Sequence, residues 1–168
     1  MTYLLDVNVL IALIDPAHVS HETAHRWFAS VGAKDWATCP IVENGVMRIV
    51  GNPKYPNSPG SPAAVAPLLR QMRTLSGHVL WSDSLSLVGS DFVDVQKIAT
   101  PAQVTDVYLL ALAVSKGGRL ATFDRGIAVK AVRKAFVPVP EHAASCLVDL
   151  RAQAPADFFE AMAAWISR

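Results

Sequence analysis

Short apolar runs alternate with longer amphipathic stretches along this chain, and this alternation limits the possible folds more than any other feature. The runs at 3–5, 36–39 and 119–123 have the length of strands, and stretches with apolar residues at helical spacing lie between them. Alternating strands and helices are typical of a parallel sheet covered by helices on both faces, with right-handed crossovers. We therefore predict an α/β fold, a three-layer α/β/α domain with a mostly parallel central sheet of about four or five strands.

The apolar spacing also places the individual elements. It predicts helices over 8–13, 20–30, 40–51, 62–75, 101–116, 126–134 and about 155–167, and strands over 3–5, 36–39, 78–81, 119–123 and 136–139. The proline-rich stretch 51–62 has no hydrophobic period and is predicted to be a loop. No repeat is visible, so we expect residues 1–168 to form one domain with a core over about 3–139 and a C-terminal extension.

The composition excludes several classes of protein. Apolar residues make up 52% of the chain and charged residues 17%, which is a globular composition. Because the net charge is only +1, a nucleic-acid surface would have to be a local patch. No apolar run is long enough to span a membrane, and the first residues lack the positive charge of a signal peptide. Cys39 and Cys146 fit reduced thiols better than a disulfide framework, so we expect a cytoplasmic protein with no membrane contact.

Four acidic residues stand where charge is costly. Asp6 and Asp124 end apolar strands, and ligand sites in parallel sheets lie beyond the carboxyl ends of strands. Glu43 and Asp106 interrupt apolar helical stretches near their N-terminal ends. Each acid alone could be a helix cap or a surface residue, but no Lys or Arg nearby in sequence could pair with all four charges. A hard divalent cation could pair with these charges, because Mg²⁺ and Mn²⁺ prefer oxygen ligands. Such a cation can also activate a water for phosphodiester cleavage.

The segments that carry these acids resemble those of PIN domains of the VapC toxin family. The resemblance covers Leu4-Leu5-Asp6-Val7-Asn8, Pro40-Ile41-Val42-Glu43, Thr105-Asp106 and Leu120-Ala121-Thr122-Phe123-Asp124-Arg125-Gly126, in the order of the family. It implies an endoribonuclease dependent on Mg²⁺ or Mn²⁺, acting as the toxin of a toxin–antitoxin pair.

The same resemblance assigns roles to residues. Asp6 and Asp106 match the principal metal ligands of the family, and Asp124 matches a further ligand of the metal or of its water. Glu43 matches the acid that helps to position the metal or the water. Asn8 and Thr122 match supporting polar positions. Ribosomal, transfer and messenger RNA all remain open as substrates, because the sequence contains no readable recognition code.

The resemblance also implies partners. We expect a VapB-type antitoxin that inserts a basic side chain, an arginine by its planar fork, into the acidic pocket. A groove for a helix of the partner is expected at the first two helices, where Trp27 and Phe28 lie. We further expect a homodimer, since a two-fold interface is the commonest assembly.

Two alternatives from other classes remain open. His21-Glu22-Thr23-Ala24-His25 matches the HExxH pattern of zinc proteases, with Glu22 as the base. A PIN fold that binds RNA or protein without cutting is the second alternative. The basic residues that follow the last acid, Arg125, Lys130, Arg133 and Lys134, are predicted either to contact RNA phosphates or to form a solvated helix face.

Overall fold

The computed structural model describes residues 1–133 and 147–149. Strands and helices alternate over this part of the chain, as the apolar spacing predicts. The strands are β1 (Tyr3–Leu5), β2 (Trp36–Thr38), β3 (His78–Leu80), β4 (Arg119–Thr122) and β5 (Leu147–Asp149). The helices are α1 (Val7–Ile14), α2 (His21–Ser30), α3 (Pro40–Val50), α4 (Pro62–Arg73) and α5 (Gln103–Ser115).

All five strands pair in parallel, in the order β3-β2-β1-β4-β5. The predicted three-layer fold with a parallel sheet of about four or five strands is therefore confirmed. The chain moves outward from β1 through β2 to β3, and then crosses back to β4 on the other side of β1. This reversal makes the boundary between β1 and β4 the switch point of the sheet, where open α/β folds bind their ligands.

Right-handed crossovers place α1 to α4 on one face of the sheet and α5 on the other. The helix contacts agree with this, because α1 packs on α2 and α3, and α3 packs on α4. In α5, every residue from Val107 to Val114 is buried, so this helix is apolar on all sides and covers its face of the sheet closely.

The first two helices contribute large aromatic side chains to the core. Trp27 and Phe28 are buried and make edge-to-face contacts with Tyr3 and Trp36 respectively. These two side chains therefore pack in the interior, and they are not available to line an open groove for a partner.

Helix boundaries follow local chemistry. Asp15 ends α1 before Pro16, and Pro40 occupies the first turn of α3, where its missing N–H is not needed. Gly117 has φ +67°, and the amide of Gly118 bonds the carbonyl of Ala113 at 2.9 Å, which closes α5 with a left-handed turn.

One predicted element is wrong. Residues 126–134 were expected to form a helix, but among the described residues of this stretch only Val129–Ala131 form a single 3₁₀ turn. The segment instead pairs with the loop before α5: Val93 and Val132 form an antiparallel bridge, and the amide of Asp94 bonds the carbonyl of Ala131 at 2.8 Å. Tertiary pairing thus satisfies the backbone groups that a helix would have used.

Three predictions fall on residues outside the described part of the chain: the strand at 136–139, the helix at about 155–167 and the reduced state of Cys146. Within the described part, no helix is long and apolar enough to cross a membrane.

Candidate active site

The carboxyl ends of β1 and β4 bring together Asp6 and Asp124, which are far apart in sequence. Asp6 follows β1 directly, and its amide bonds the carbonyl of Ala121 in β4 at 3.0 Å. Asp124 lies two residues beyond the end of β4. Both acids therefore stand at the switch point of the sheet, on neighbouring strands rather than at opposite edges.

Asp6 is only 7% exposed and is held by hydrogen bonds to both of its oxygens. Its Oδ1 accepts the amide of Val7 at 2.6 Å, so this side chain caps α1. Its Oδ2 accepts the hydroxyl of Thr122 at 2.6 Å. Both bonds fix the direction of the carboxylate before any ligand arrives.

Thr122 connects the residues around Asp6. Its Oγ1 donates to Asp6, accepts the amide of Asp124 at 3.0 Å and lies 3.4 Å from the donating Nδ2 of Asn8. The Oδ1 of Asn8 accepts the amide of Phe123 at 3.4 Å. The two residues that the sequence marked as supporting therefore join the end of β4 to the first turn of α1.

Asp106 belongs to the same electrostatic group. It lies half-buried in the first turn of α5. Burial, together with the charges of Asp6 and Asp124, raises its pKa from 3.8 to about 6. Burial also raises the pKa of Asp6, despite the hydrogen bond from Thr122. Like charges held this close repel one another and disfavour ionisation.

The donor chemistry of this group fits a divalent cation. Its side chains offer only oxygen, and the interactions that set the pKa of Asp6 and of Asp106 include no Lys or Arg of the described residues. In that same part of the chain, no three acidic, histidine or cysteine side chains already converge on one point where an ion could sit. Oxygen donors of this kind are the ligands that Mg²⁺ and Mn²⁺ prefer.

Glu43 has partners of its own. Its Oε1 accepts the hydroxyl of Thr38 at 2.7 Å, and its Oε2 lies 3.5 Å from the guanidinium of Arg73. Because Thr38 gives its only hydroxyl hydrogen to Glu43, its oxygen accepts Nε2–H of His78 at 2.8 Å. Arg73 lies thirty positions from Glu43 in sequence, so this basic partner is brought to Glu43 by α4 and is not visible among its neighbours in sequence.

The helix that carries Glu43 approaches α1 very closely. A Cβ atom on Gly45 would lie 2.7 Å from Cγ2 of Val7, the residue next to Asp6. Glycine is required here by space, since its φ is not positive. This contact sets how near α3 comes to the acidic end of α1.

Comparison with known proteins agrees with this geometry. The PIN domain family matches residues 3–133, which include all four acids. The chain belongs to the PIN domain family, among its VapC members. It is 46% identical to ribonuclease VapC44 of Mycobacterium tuberculosis over 132 residues, which are 79% of this chain and 92% of that protein. It is 44% identical to ribonuclease VapC39 of the same organism over 128 residues, 76% of this chain and 92% of that protein. With ribonuclease VapC38 it shares 40% identity over 136 residues, 81% and 94% of the two chains.

The HExxH segment of this VapC-family chain has a structural role. The Nδ1 of His21 donates to the carbonyl of Ala12 at 2.7 Å, and Nε2 of His25 donates to the carbonyl of Leu13 at 2.9 Å, since a carbonyl can only accept. These bonds attach α2 to the last turn of α1, whose carbonyls need partners. Burial lowers the pKa of His25, which keeps the ring neutral. The zinc-protease alternative therefore has no support in this geometry.

The basic residues beyond Asp124 do not form one face of a helix. Arg125, Lys130 and Arg133 are exposed, and Arg133 lies 3.9 Å from the carboxylate of Asp94. Lys134 falls outside the described residues. The predicted helix face is thus absent from the described part of this segment, while its exposed cations remain close to Asp124 in sequence.

Sequence reasoning missed two polar clusters in this VapC-family fold. Asp15, at the end of α1, is buried and accepts hydrogen bonds from the amide of Ala17 at 2.9 Å, from Asn57 at 2.9 Å and from the hydroxyl of Tyr55. Burial acts to raise its pKa, but these bonds lower it overall. They attach the proline-rich loop to the end of α1. No sequence signal links these residues, because they lie about forty positions apart.

The second cluster brings Asp83 near Cys39 and Tyr108. Burial, with the charge of Asp83 adding to it, raises the pKa of the Cys39 thiol to about 11 and that of Tyr108 to about 12. Both groups are neutral at physiological pH, so Cys39 is a packed thiol and not a nucleophile.

Proposed function

We propose that this protein is an endoribonuclease dependent on Mg²⁺ or Mn²⁺, with a cutting site built from Asp6, Asp106 and Asp124 and assisted by Glu43. The observation that carries the proposal is the meeting of acids at the switch point of the sheet, where burial and neighbouring negative charges raise the pKa of Asp6 and of Asp106. The curated relatives are named as ribonucleases, and they match most of this chain at 39–46% identity. The chain is accordingly a nuclease of the VapC group.

The residues of the chain have distinct tasks in this proposal. Thr122 and the amide of Val7 hold Asp6 in a fixed direction. The charge of Asp6 acts on Asp106 in α5, and the charge of Asp124, beyond the end of β4, acts on both. Asp6, Asp106 and Asp124 would hold the cation, and Glu43 would help to position the attacking water. Bound there, Mg²⁺ or Mn²⁺ would supply a Lewis acid that polarises the phosphate and favours ionisation of a water.

The biological role follows from the family. We infer a toxin of a type II toxin–antitoxin pair, whose partner is a VapB-type antitoxin that inserts an arginine among Asp6 and Asp106. An arginine would neutralise the same charges that favour the cation. We also place the protein in the cytoplasm, where the buried free thiol of Cys39 would stay reduced.

Cleavage of RNA under metal control tests the proposal. We expect purified protein to cut single-stranded RNA with Mg²⁺ or Mn²⁺, to stop when EDTA is added and to recover when the metal is restored. Asp6→Asn should reduce cleavage to background, and the same preparation controls for contaminating ribonucleases. Glu22→Gln is the matched control, because Glu22 is an exposed acid in the first turn of α2 and should not affect cleavage.

Other outcomes would point to the alternatives. Binding of RNA without cleavage under any metal would identify a binding module. Zinc-dependent proteolysis that Glu22→Gln abolishes would restore the protease hypothesis.

The proposed assembly is tested separately. Antitoxin should bind wild type more tightly than the double variant Asp6→Ala plus Asp106→Ala, and excess Mg²⁺ should weaken only the first interaction. Equal affinity in all conditions would show that inhibition does not use these carboxylates. We propose a homodimer, which light scattering at micromolar concentration would detect, and a monomeric mass there would contradict it.

A further inference from the structure

A cavity of about 460 Å³ opens beside Asp124 and is separate from the carboxylates of Asp6 and Asp106. Its walls are the segment before α2, the turn after β4 and one residue of α1, and they include His18, Val19, Ser20, Asn8, Asp124 and Arg125. Small-molecule sites in proteins have volumes of about 300–1,000 Å³, so one nucleotide is a suitable size of ligand.

The most unusual wall residue is Val19, whose side chain is 97% exposed. The segment that carries it is well held: the amide of His18 bonds the carbonyl of Asp15 at 3.0 Å, and the amide of His21 bonds the carbonyl of His18 at 2.8 Å. Asp15 is itself fixed by Tyr55 and the loop around it. The backbone therefore presents an apolar side chain to water at a defined position, where covering it with an apolar surface would be favourable.

His18 supplies a hydrogen-bond donor at the same wall. Its Nδ1 accepts the amide of Ser20 at 3.1 Å, because that amide can only donate. A neutral His18 ring must then carry its hydrogen on Nε2, and this N–H remains for a ligand or for water. Together with the Ser20 hydroxyl, it forms a polar edge beside the apolar surface of Val19.

Part of the lining also belongs to the proposed cutting site. Asp124 contributes to both, and Asn8 connects the cavity to Thr122, the residue that holds Asp6. Arg125 adds a positive charge to the lining, which suits the phosphates of a nucleic acid. Because Asp124 belongs to both, a phosphate bound at the acids would lie beside the cavity.

We propose that this cavity holds one unstacked nucleotide of the RNA, next to the cleaved phosphate. Its base packs against Val19, and Nε2–H of His18 donates to the base edge or to the ribose. Single-stranded RNA is recognised in this way, by unstacked bases placed on side-chain surfaces and bonded at their edges. The inference rests on the proposed ribonuclease function and adds the residues that select the nucleotide.

The test compares two wall variants with a distant control. Val19→Ser removes the apolar surface, and His18→Asn removes the outer donor while keeping an acceptor for the amide of Ser20. Val88→Ser is the control, because Val88 is a similarly exposed valine, at 95%, and is not among the cavity residues. A pool of randomised single-stranded oligoribonucleotides serves as the probe, with cleavage kinetics, sequencing of the cut ends and binding in EDTA as readouts.

Both wall variants should raise KM and weaken RNA binding by roughly five- to tenfold, while kcat stays within about twofold of wild type. Both should also change the base preference at one position beside the cut. Val88→Ser should change none of these. Unchanged binding and an unchanged base preference in both wall variants would overturn the inference while leaving the ribonuclease function intact. Binding that depends on Val19 in a protein that does not cut RNA would instead refute the proposed function alone. A Val19→Ser protein that binds and cleaves RNA like wild type but no longer binds its antitoxin would assign the cavity to that partner. This result would also overturn the inference.

Discussion

Replacement of Asp106 by asparagine should stabilise the fold at neutral pH while abolishing cleavage. The pKa of Asp106 is raised from 3.8 to about 6, mainly by burial and also by the charges of Asp6 and Asp124. A group whose pKa is raised by folding contributes stability below its unfolded pKa, and this contribution is lost as the pH rises through the folded value. Ionised Asp106 therefore destabilises the protein above about pH 6.

The size of the effect follows from this shift. A difference of about two pH units corresponds to ~3 kcal/mol at ~1.4 kcal/mol per unit. Asp106 is half-buried, so solvent screening reduces this to about 1–2 kcal/mol. The negative charge also favours the first turn of α5 by about 0.3–1 kcal/mol, and asparagine loses this benefit. We expect a net gain in the free energy of unfolding of about 1 kcal/mol at pH 8.

Urea unfolding of wild type and Asp106→Asn at pH 8, 6 and 3.5 would measure it. The gain should shrink as the pH falls, because both side chains are neutral below the ordinary pKa of 3.8. Mg²⁺ should stabilise wild type and affect the variant much less, since a cation that binds only the folded state adds to its stability. Asp35→Asn is the control: hydrogen bonding to Thr2 lowers the pKa of Asp35, so that variant should lose stability at pH 8. An Asp106→Asn protein that is no more stable than wild type at pH 8, or whose gain does not depend on pH, would refute the reasoning.

Three further predictions concern how the site is held. Thr122→Val should lower kcat severalfold and destabilise the fold by about 1–3 kcal/mol, because it leaves Oδ2 of the buried Asp6 carboxylate without the hydroxyl that donates to it. Thr122→Ser should keep most of the activity, and steady-state cleavage and urea unfolding measure both effects. Tyr55→Phe should lower the free energy of unfolding by about 1–3 kcal/mol, because it removes the hydroxyl that donates to buried Asp15. Hydrogen exchange of the backbone amides should become faster in the proline-rich loop, and unchanged exchange there would contradict this role. Gly45→Ala should destabilise the fold by about 1–3 kcal/mol and reduce cleavage, because the new Cβ would lie 2.7 Å from Cγ2 of Val7. A variant as stable as wild type would show that α3 can shift away from α1 freely.

The sequence by itself determined the local elements and the identity of the acids. The apolar runs at 3–5, 36–39 and 119–123 contain the strands β1, β2 and β4, and the helical spacing after Pro40 and Pro62 corresponds to α3 and α4. These elements are predictable because the strand and helix periods depend on residues that are neighbours in sequence. Asp6 stands out in such a reading, since it interrupts an apolar segment in which burial of a charge is costly.

Only the tertiary structure decided how these acids are connected. The order β3-β2-β1-β4-β5 puts β4 next to β1, and this places the hydroxyl of Thr122 on Asp6 across 116 positions of sequence. The pairing of Glu43 with Arg73 depends on how α3 packs on α4, and no spacing rule predicts it. The segment after Asp124 had helical composition, but its backbone groups found partners in a distant loop instead. Local propensity amounts to tenths of a kcal/mol per residue, whereas buried polar groups left without partners cost about 1–3 kcal/mol each, so long-range pairing decides such cases.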